Sequence, residues 1–337
     1  MKNLCYINLN LLRDNAIKIK NQLPKDVLFN AVVKADAYGH GIEMVSSAIY
    51  DIVDSYSVSI LEEGISLRNS GIDKEILLLI PPTFNELDRL IEYNVTACCD
   101  SVLLIKKLNE VAKRKNKIVK VHIKYDTGMH RLGIRSLDEL EELLKVSKEL
   151  KNVKITGLFS HYYNTLDKNA LKKSTDKFLL AIHLFKRYNI KAINHISASG
   201  GFLRGNYFDM VRIGILLYGY KPFNTSKISV KPIMKVYSRI LTSFTLKKGE
   251  HCLYGKKISK KEEKITLIRY GYADGLERSE NKEIFNNRCM DVSAIKGRIK
   301  GKKHLILNVK KIAKEGNTIP YEILTKIAIR TEKIYIN

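Results

Sequence analysis

Eight short apolar runs, separated by segments with apolar residues at helical spacing, restrict the fold of this chain more than any other feature. A strand followed by a helix, repeated along a chain, indicates a parallel sheet covered by helices. Eight such units predict a (β/α)8 barrel, which is an α/β fold. The predicted strands are 29–33, 55–59, 76–80, 95–99, 119–125, 155–160, 192–197 and 210–214.

The sequence pattern changes after about residue 220. Segments 236–246 and 264–269 alternate like strands, and a turn signal stands at Lys248-Gly249-Glu250. This pattern is typical of a smaller, mainly β domain. We therefore predict a barrel domain over residues 1–225 and a C-terminal β domain over 226–337, with a short entry strand at residues 5–9. Helices are predicted at 137–151 and 168–188.

The chain is strongly basic, since 59 Lys and Arg stand against 35 Asp and Glu. A nucleic-acid-binding protein would have such a charge, and its affinity would depend steeply on salt. The lysines are scattered and do not alternate with aromatic residues, so we favour a lysine-rich surface. We expect neither nucleic acid nor a membrane as a partner.

The five cysteines have no metal-type spacing, which predicts free thiols and no metal site. A signal peptide and a run of transmembrane length are both absent from the pattern. We expect a cytoplasmic protein.

One lysine stands at the end of the first predicted strand. Lys34 follows Ala31-Val32-Val33, and burying an ammonium group is costly unless it is paired or neutralised. Lysine loses its charge when it condenses with a carbonyl compound such as pyridoxal phosphate. The alternative is a side chain that extends past the strand end to water.

Further polar side chains follow the later predicted strands. Chemistry in a barrel takes place at the C-terminal ends of its strands. Lys124 lies near the end of the fifth strand, His161 at the end of the sixth, and Ser199 and Arg212 at the last two. The sequence therefore predicts one site at this face.

Five sequence blocks resemble the alanine racemase family, and together they span nearly the whole chain. They are 34–41 (KADAYGHG), 124–133 (KYDTGMHRLG), 208–215 (FDMVRIGI), 253–255 (LYG) with 271–275 (GYADG), and 289–291 (CMD) with 319–322 (IPYE). The resemblance implies a pyridoxal-phosphate enzyme that racemises an amino acid. Racemisation removes an α-proton from one face and returns one to the other, so it needs two bases. The family match assigns these to Lys34 and Tyr254.

The resemblance also implies a homodimer with shared active sites, since the family tyrosine reaches the site of the other subunit. Without the family match, Tyr254 would be an ordinary aromatic of the β domain. Arg212 is expected to face the cofactor's ring nitrogen, although an isolated arginine here would more simply pair with Asp209. The other implied cofactor contacts are His161 beside the ring, and Tyr38, Ser199, Gly214, Ile215 and Tyr321 around the phosphate.

Two more residues are implied to contact the substrate carboxylate, namely Arg131 and, from the partner subunit, Met290. Lys124 is a candidate for carbamylation, which would orient Arg131; the alternative is a solvated lysine. The expected substrate is alanine, and D-alanine would supply peptidoglycan synthesis. Serine or a broader amino-acid range stays open, as does a weakly active or passive pyridoxal-phosphate-binding protein. Residues 292–307 are shorter and richer in lysine than the family pattern, so we expect a reduced C-terminal sheet.

Overall fold

The computed structural model describes residues 2–278, 284–306 and 308–337. It divides the chain into two compact units. The larger unit comprises Leu12–Ala37 and Ile42–Lys231. The smaller unit comprises the residues up to Leu11, the short segment Tyr38–Gly41, and Pro232–Asn337. The predicted domain limits differ from this division because the first strand, β1 (Asn3–Asn8), pairs with strands of the smaller unit.

The larger unit is a barrel of eight parallel strands. Two four-stranded parallel sheets are joined by single-residue bridges between Leu77 and Thr96 and between Ala198 and Arg212, which close the ring. Every predicted strand is present, with ends that differ by no more than two residues. The strands are β2 (Leu28–Val32), β3 (Ser55–Val58), β4 (Glu75–Leu78), β5 (Ala97–Cys99), β6 (Val119–Lys124), β7 (Val153–Phe159), β8 (Ile193–His195) and β9 (Met210–Ile213).

Amphipathic helices follow the strands of the larger unit. The longest buries Phe178, Ile182 and Phe185 at helical spacing and is capped by Asp167, whose carboxylate accepts two backbone N–H groups. Both predicted helices are present, one of them four residues shorter than expected. The helices up to β9 are α1 (Leu9–Lys20), α2 (Lys34–Gly39), α3 (Ile42–Ala48), α4 (Leu61–Asn69), α5 (Leu87–Glu92), α6 (Val102–Arg114), α7 (Leu137–Ser147), α8 (Lys168–Arg187) and α9 (Ser199–Arg204).

The smaller unit is built on one mixed sheet. Its strand order is β12-β11-β10-β1-β14, and β13 also pairs with β10. The strand β1 is parallel to β14 and antiparallel to β10. The remaining elements are β10 (Met234–Leu246), β11 (Glu263–Ile268), β12 (Ser293–Lys296), β13 (Lys303–Leu305), α10 (Val309–Glu315), α11 (Pro320–Ile327) and β14 (Thr331–Ile336).

The shortened segment 292–307 still contributes to this sheet. Its strand β12 pairs with β11 over four residues, and β13 pairs with β10 over three. Leu307 lies outside the described residues. The shortened segment therefore still supplies two strands to the sheet, one before and one after the turn that joins β12 and β13.

Candidate active site

Lys34 is set apart by the backbone that follows it. It begins α2, one residue beyond the end of β2, and Ala35–Tyr38 all have φ between 52° and 55°, which is the left-handed region. Each such non-glycine residue costs about 1–2 kcal/mol. The turn is closed by a hydrogen bond from Ala37 N–H to the carbonyl oxygen of Val33, at 2.8 Å. Strain of this kind is typical of functional sites.

The charge on Lys34 is disfavoured where the side chain lies. Burial lowers the pKa of its ammonium group, and the positive charge of Arg131 lowers it further, while Glu63 opposes both. A lysine in this environment gives up its proton more readily than a solvated lysine. This is the property that a lysine base needs.

Lys124 lies at the end of β6, inside the barrel mouth. Its Nζ donates a hydrogen bond to the carbonyl oxygen of Leu79 at 2.9 Å and lies 5.1 Å from the ring centre of Phe159. Burial lowers the pKa of this lysine, and Arg212 and Arg131 lower it further. Lys124 is thus a buried side chain and not a solvated one.

Arg212 is buried, with 3% of its surface exposed. Its guanidinium donates to Nδ1 of His195 at 2.5 Å and to the carbonyl oxygen of Ser160 at 2.6 Å. Burial, with the nearby Arg131, lowers its pKa to about 9. The alternative ion pair with Asp209 is not formed, since that carboxylate accepts from Asn194.

His161 shares this cationic environment. Burial lowers its pKa to about 3, and the positive charges of Arg212, Arg131, Lys124 and Lys34 act in the same direction. The imidazole is therefore neutral at physiological pH, and it lies 3.5 Å from the guanidinium of Arg212. Five of the predicted side chains are thus close enough to affect each other electrostatically, and we call the four charged ones the cation field. The five are Lys34, Lys124, Arg131, His161 and Arg212.

The first residue of α9, the helix after β8, carries an unused hydroxyl group. Ser199 is buried, and its Oγ has no hydrogen-bond partner among the described residues. Gly200 and Gly201 pack tightly behind it, because a Cβ atom on either would lie within 2.6 Å of a neighbouring oxygen. After β9, the carbonyl groups of Gly214 and Ile215 accept hydrogen bonds within the next turn. An orphaned buried hydroxyl and a field of cations suit a group with anionic oxygens.

Two tyrosines of the predicted phosphate site contact each other in the smaller unit. The ring centres of Tyr38 and Tyr321 are 6.0 Å apart, with the planes tilted by 48°. Burial raises the pKa of both phenols, that of Tyr321 to about 12. Both therefore keep their protons and can donate hydrogen bonds.

Tyr254 lies in an exposed loop of the smaller unit, with 66% of its surface accessible. The loop is fixed by one buried side chain, Asn286, whose amide donates to the carbonyl oxygens of Cys252 and Lys257 and accepts from the N–H of Lys257. Gly255 has φ 142° and approaches this amide closely. Sequence reasoning missed Asn286, because its contacts are 29 and more residues away along the chain.

Met290 is held by the glycine-rich segment that starts at Gly271. Its carbonyl oxygen accepts from Ala273 N–H at 3.0 Å, and a Cβ atom on Gly271 would lie only 2.2 Å from that oxygen. The side chains of Met290 and Tyr272 are exposed. Two separate sequence blocks are thus joined into one surface.

The fold and the site define a class of protein. A neutral-prone lysine, a buried arginine and an orphaned hydroxyl stand at the C-terminal face of a barrel, where a pyridoxal-phosphate enzyme holds its cofactor. These residues fit that cofactor in charge and hydrogen-bonding capacity. Among the described residues, no group of acids, cysteines or histidines could hold a metal ion. Within the same residues no helix has both the length and the apolar character to cross a bilayer.

The chain belongs to the alanine racemase family. The family models match over residues 7–222, for the alanine racemase N-terminal domain, and over 233–335, for the C-terminal domain. The alanine racemase of Clostridium novyi is 32% identical over 367 residues, which covers 98% of this chain and 94% of the relative. That of Clostridium kluyveri is 35% identical over 370 residues, covering 98% and 93%.

Solved structures agree with this assignment. The alanine racemase of Clostridium difficile 630 has a TM-score of 0.94 and 29% identity, covering 100% of this chain and 96% of that one. A second structure of it is a complex with cycloserine. The Bartonella henselae enzyme, solved with covalently bound pyridoxal phosphate, has the same fold at a TM-score of 0.90 and 24% identity. The predicted family, barrel and cofactor are confirmed.

Proposed function

We propose that this pyridoxal-phosphate racemase interconverts L-alanine and D-alanine, with Lys34 and Tyr254 as its two proton-transferring groups. The observation that supports this best is Lys34 itself. Its ammonium pKa is lowered by burial and by Arg131, and the left-handed backbone after it fixes its place at the strand end. When bound, pyridoxal phosphate takes up the electron pair left by removal of the α-proton.

Other side chains at the barrel mouth would bind the cofactor ring and the substrate carboxylate. Arg212 is held as a hydrogen-bond donor by its contacts to His195 and Ser160, and we assign it to the ring nitrogen of the cofactor. Since arginine does not give up its proton, that nitrogen would stay largely neutral. His161 would pack against the ring, and Arg131 would bind the substrate carboxylate.

The phosphate of the cofactor would be bound by hydroxyl groups. Ser199 offers an orphaned buried Oγ, and Tyr38 and Tyr321 offer protonated phenols. The backbone at Gly214 and Ile215 would complete this part of the site. A carbamate on Lys124 would turn a like-charge contact with Arg131 into an ion pair.

We further propose a homodimer in which each Tyr254 serves the site of the partner subunit. Support comes from the exposed side chains of Tyr254, Tyr272 and Met290, since exposed apolar groups commonly mark protein contacts. The backbone N–H of the partner's Met290 would bind the substrate carboxylate. We place the enzyme in the cytoplasm, where its D-alanine would supply peptidoglycan synthesis.

The first test is direct. Purified protein should be yellow, and borohydride should fix the cofactor to Lys34, as shown by peptide mass spectrometry. Circular dichroism of L-alanine should decay to zero in its presence, and a panel of amino acids, including L-serine, will define the substrate range. Protein that binds the cofactor but leaves L-alanine optically active would be a passive binder, and the proposal would be refuted.

A second test concerns the shared site. Lys34→Ala and Tyr254→Phe should each be inactive alone. After mixing and subunit exchange, half of the dimers contain one intact site, so activity should return to about a quarter of the wild-type value. No recovery, with exchange verified by tagged subunits, would place both groups in one chain.

A further inference from the structure

A line of four polar side chains crosses the interior of the barrel. Glu75 begins β4, His122 lies in β6, His195 ends β8, and Arg212 lies in β9. The nitrogen Nε2 of His122 lies 3.3 Å from Oε1 of Glu75. Its Nδ1 lies 2.9 Å from Nε2 of His195, and Nδ1 of His195 lies 2.5 Å from the guanidinium.

The donor-only character of Arg212 fixes which group donates and which accepts in each hydrogen bond along this line. The guanidinium of Arg212 can only donate, so Nδ1 of His195 must accept and its proton must be on Nε2. That N–H donates to Nδ1 of His122, whose own proton is then on Nε2. This nitrogen lies 3.3 Å from the carboxylate of Glu75, an electrostatic contact without hydrogen-bond geometry. Both imidazoles must be neutral, because each Nδ1 accepts a hydrogen bond. A proton on Nδ1 of His195 would face the guanidinium, and one on Nδ1 of His122 would face Nε2–H of His195. Burial, with Arg212 and His122, lowers the pKa of His195 well below its ordinary value.

The barrel is shaped to accept this line. The pairing of β6 with β7 shifts register between Val121 and His122, and such bulges re-aim side chains. Opposite the bulge stands Gly157, where a Cβ atom would lie 2.4 Å from the ring of His122. The ring of Phe159 stacks on His195 at 5.1 Å with an interplanar angle of 3°. The register shift and the glycine thus make room for the ring of His122, and the stacked phenyl ring holds the ring of His195.

The line also gives the buried cation a distant counter-charge. Glu75 is the carboxylate at its far end, with 26% of its side chain exposed. A carboxylate directly beside Arg212 would neutralise its charge, whereas neutral acceptors leave the guanidinium charged. Both terminal nitrogens donate to such acceptors, on His195, Ser160 and Ile196, so Nε–H is the donor left for the cofactor.

We propose that Glu75, His122 and His195 are positioning residues that hold the guanidinium of Arg212 as a donor toward the ring nitrogen of the cofactor. This inference rests on the role proposed above for Arg212. The three residues would act only through the arginine, to which they are joined by the contacts given above.

The imidazole protons provide a test that does not depend on activity. In holoenzyme labelled with ¹⁵N-histidine, His122 and His195 should each have the proton on Nε2 and none on Nδ1. Detection of the Nδ1–H form or of an imidazolium at either position would overturn the inference. Assignment follows from the signals lost in His122→Phe and His195→Phe.

The second test measures the effect on the cofactor. With ring-¹⁵N-labelled cofactor, Gly157→Ala should shift the ring-nitrogen signal and reduce kcat by about 10- to 100-fold, as for outer partners that orient metal ligands. Gly64→Ala is the matched control, since its added methyl meets only side chains, the nearest being Val95 at 3.2 Å. His122→Phe should give the same shift if Gly157→Ala does not fold.

Two substitutions at Glu75 distinguish the proposed positioning role from a role in packing alone. Glu75→Gln keeps the shape of the side chain and removes its charge, so it should shift the ring-nitrogen signal, as should Glu75→Leu. A role in packing alone would leave the signal of Glu75→Gln unchanged. If Arg212→Met leaves the ring-nitrogen signal unchanged, the role of Arg212 is wrong, and this inference fails with it. If Arg212→Met shifts the signal and His122→Phe does not, the inference alone is overturned.

Discussion

The cation field at the barrel mouth predicts a pH-dependent loss of stability caused by His161. In the fold its pKa is about 3, mainly through burial and the charge of Arg212, against an ordinary value of 6.5. Below pH 6.5 the unfolded chain therefore binds a proton that the folded chain does not, and stability falls as the pH falls. The full loss is reached only below about pH 3.

The magnitude follows from the width of this window. At pH 4.5 the unfolded imidazole is about two pH units below its pKa, which corresponds to about 2.7 kcal/mol, and the folded imidazole is still neutral. Wild-type protein should therefore lose about 2–3 kcal/mol more than His161→Gln between pH 7 and pH 4.5. Carboxylates that titrate in both proteins cancel in this difference.

The measurement is urea unfolding of the cofactor-free protein, followed by far-ultraviolet circular dichroism because the chain has no tryptophan. His183→Gln serves as the control, since His183 is exposed on α8 and lies outside the site. It should follow the wild-type pH dependence. If His161→Gln follows it as well, the imidazole is not held neutral, and the four cations do not form the field argued above.

Three further predictions concern the parts that surround the site. Asn286→Leu leaves the three hydrogen bonds of the Tyr254 loop unmade, at about 1 kcal/mol each, so it should lower kcat while the cofactor absorbance is retained. Gly271→Ala should lower the free energy of unfolding of the smaller unit by about 1–3 kcal/mol in a thermal scan, because the new Cβ meets a backbone oxygen; unchanged melting would contradict that packing. Native mass spectrometry should show the added mass of one carbon dioxide on Lys124, absent from Lys124→Met.

The barrel could be predicted closely because each strand is a local apolar run. All eight runs had the length and the composition of a buried parallel strand. Polar residues at the ends of five of them indicated the C-terminal face as the candidate site. The role of β1 was not visible, since a strand of six residues does not show by its own pattern whether it pairs with neighbours more than 200 residues away.

The candidate site was predicted where a residue type has few structural uses, as for a lysine at a strand end. Residues were missed where their role depends on contacts between strands that are far apart in the sequence. His122 and His195 are 73 positions apart, and neither stands in a recognisable motif, yet the barrel places Nδ1 of His122 2.9 Å from Nε2 of His195. Gly157 explains why: a glycine inside β7 has no local purpose, and its meaning appears only when the ring from β6 fills the space of its missing side chain. A buried glycine in a predicted barrel strand is therefore a signal that a polar side chain from a neighbouring strand turns inward, and this signal could have been read from the sequence.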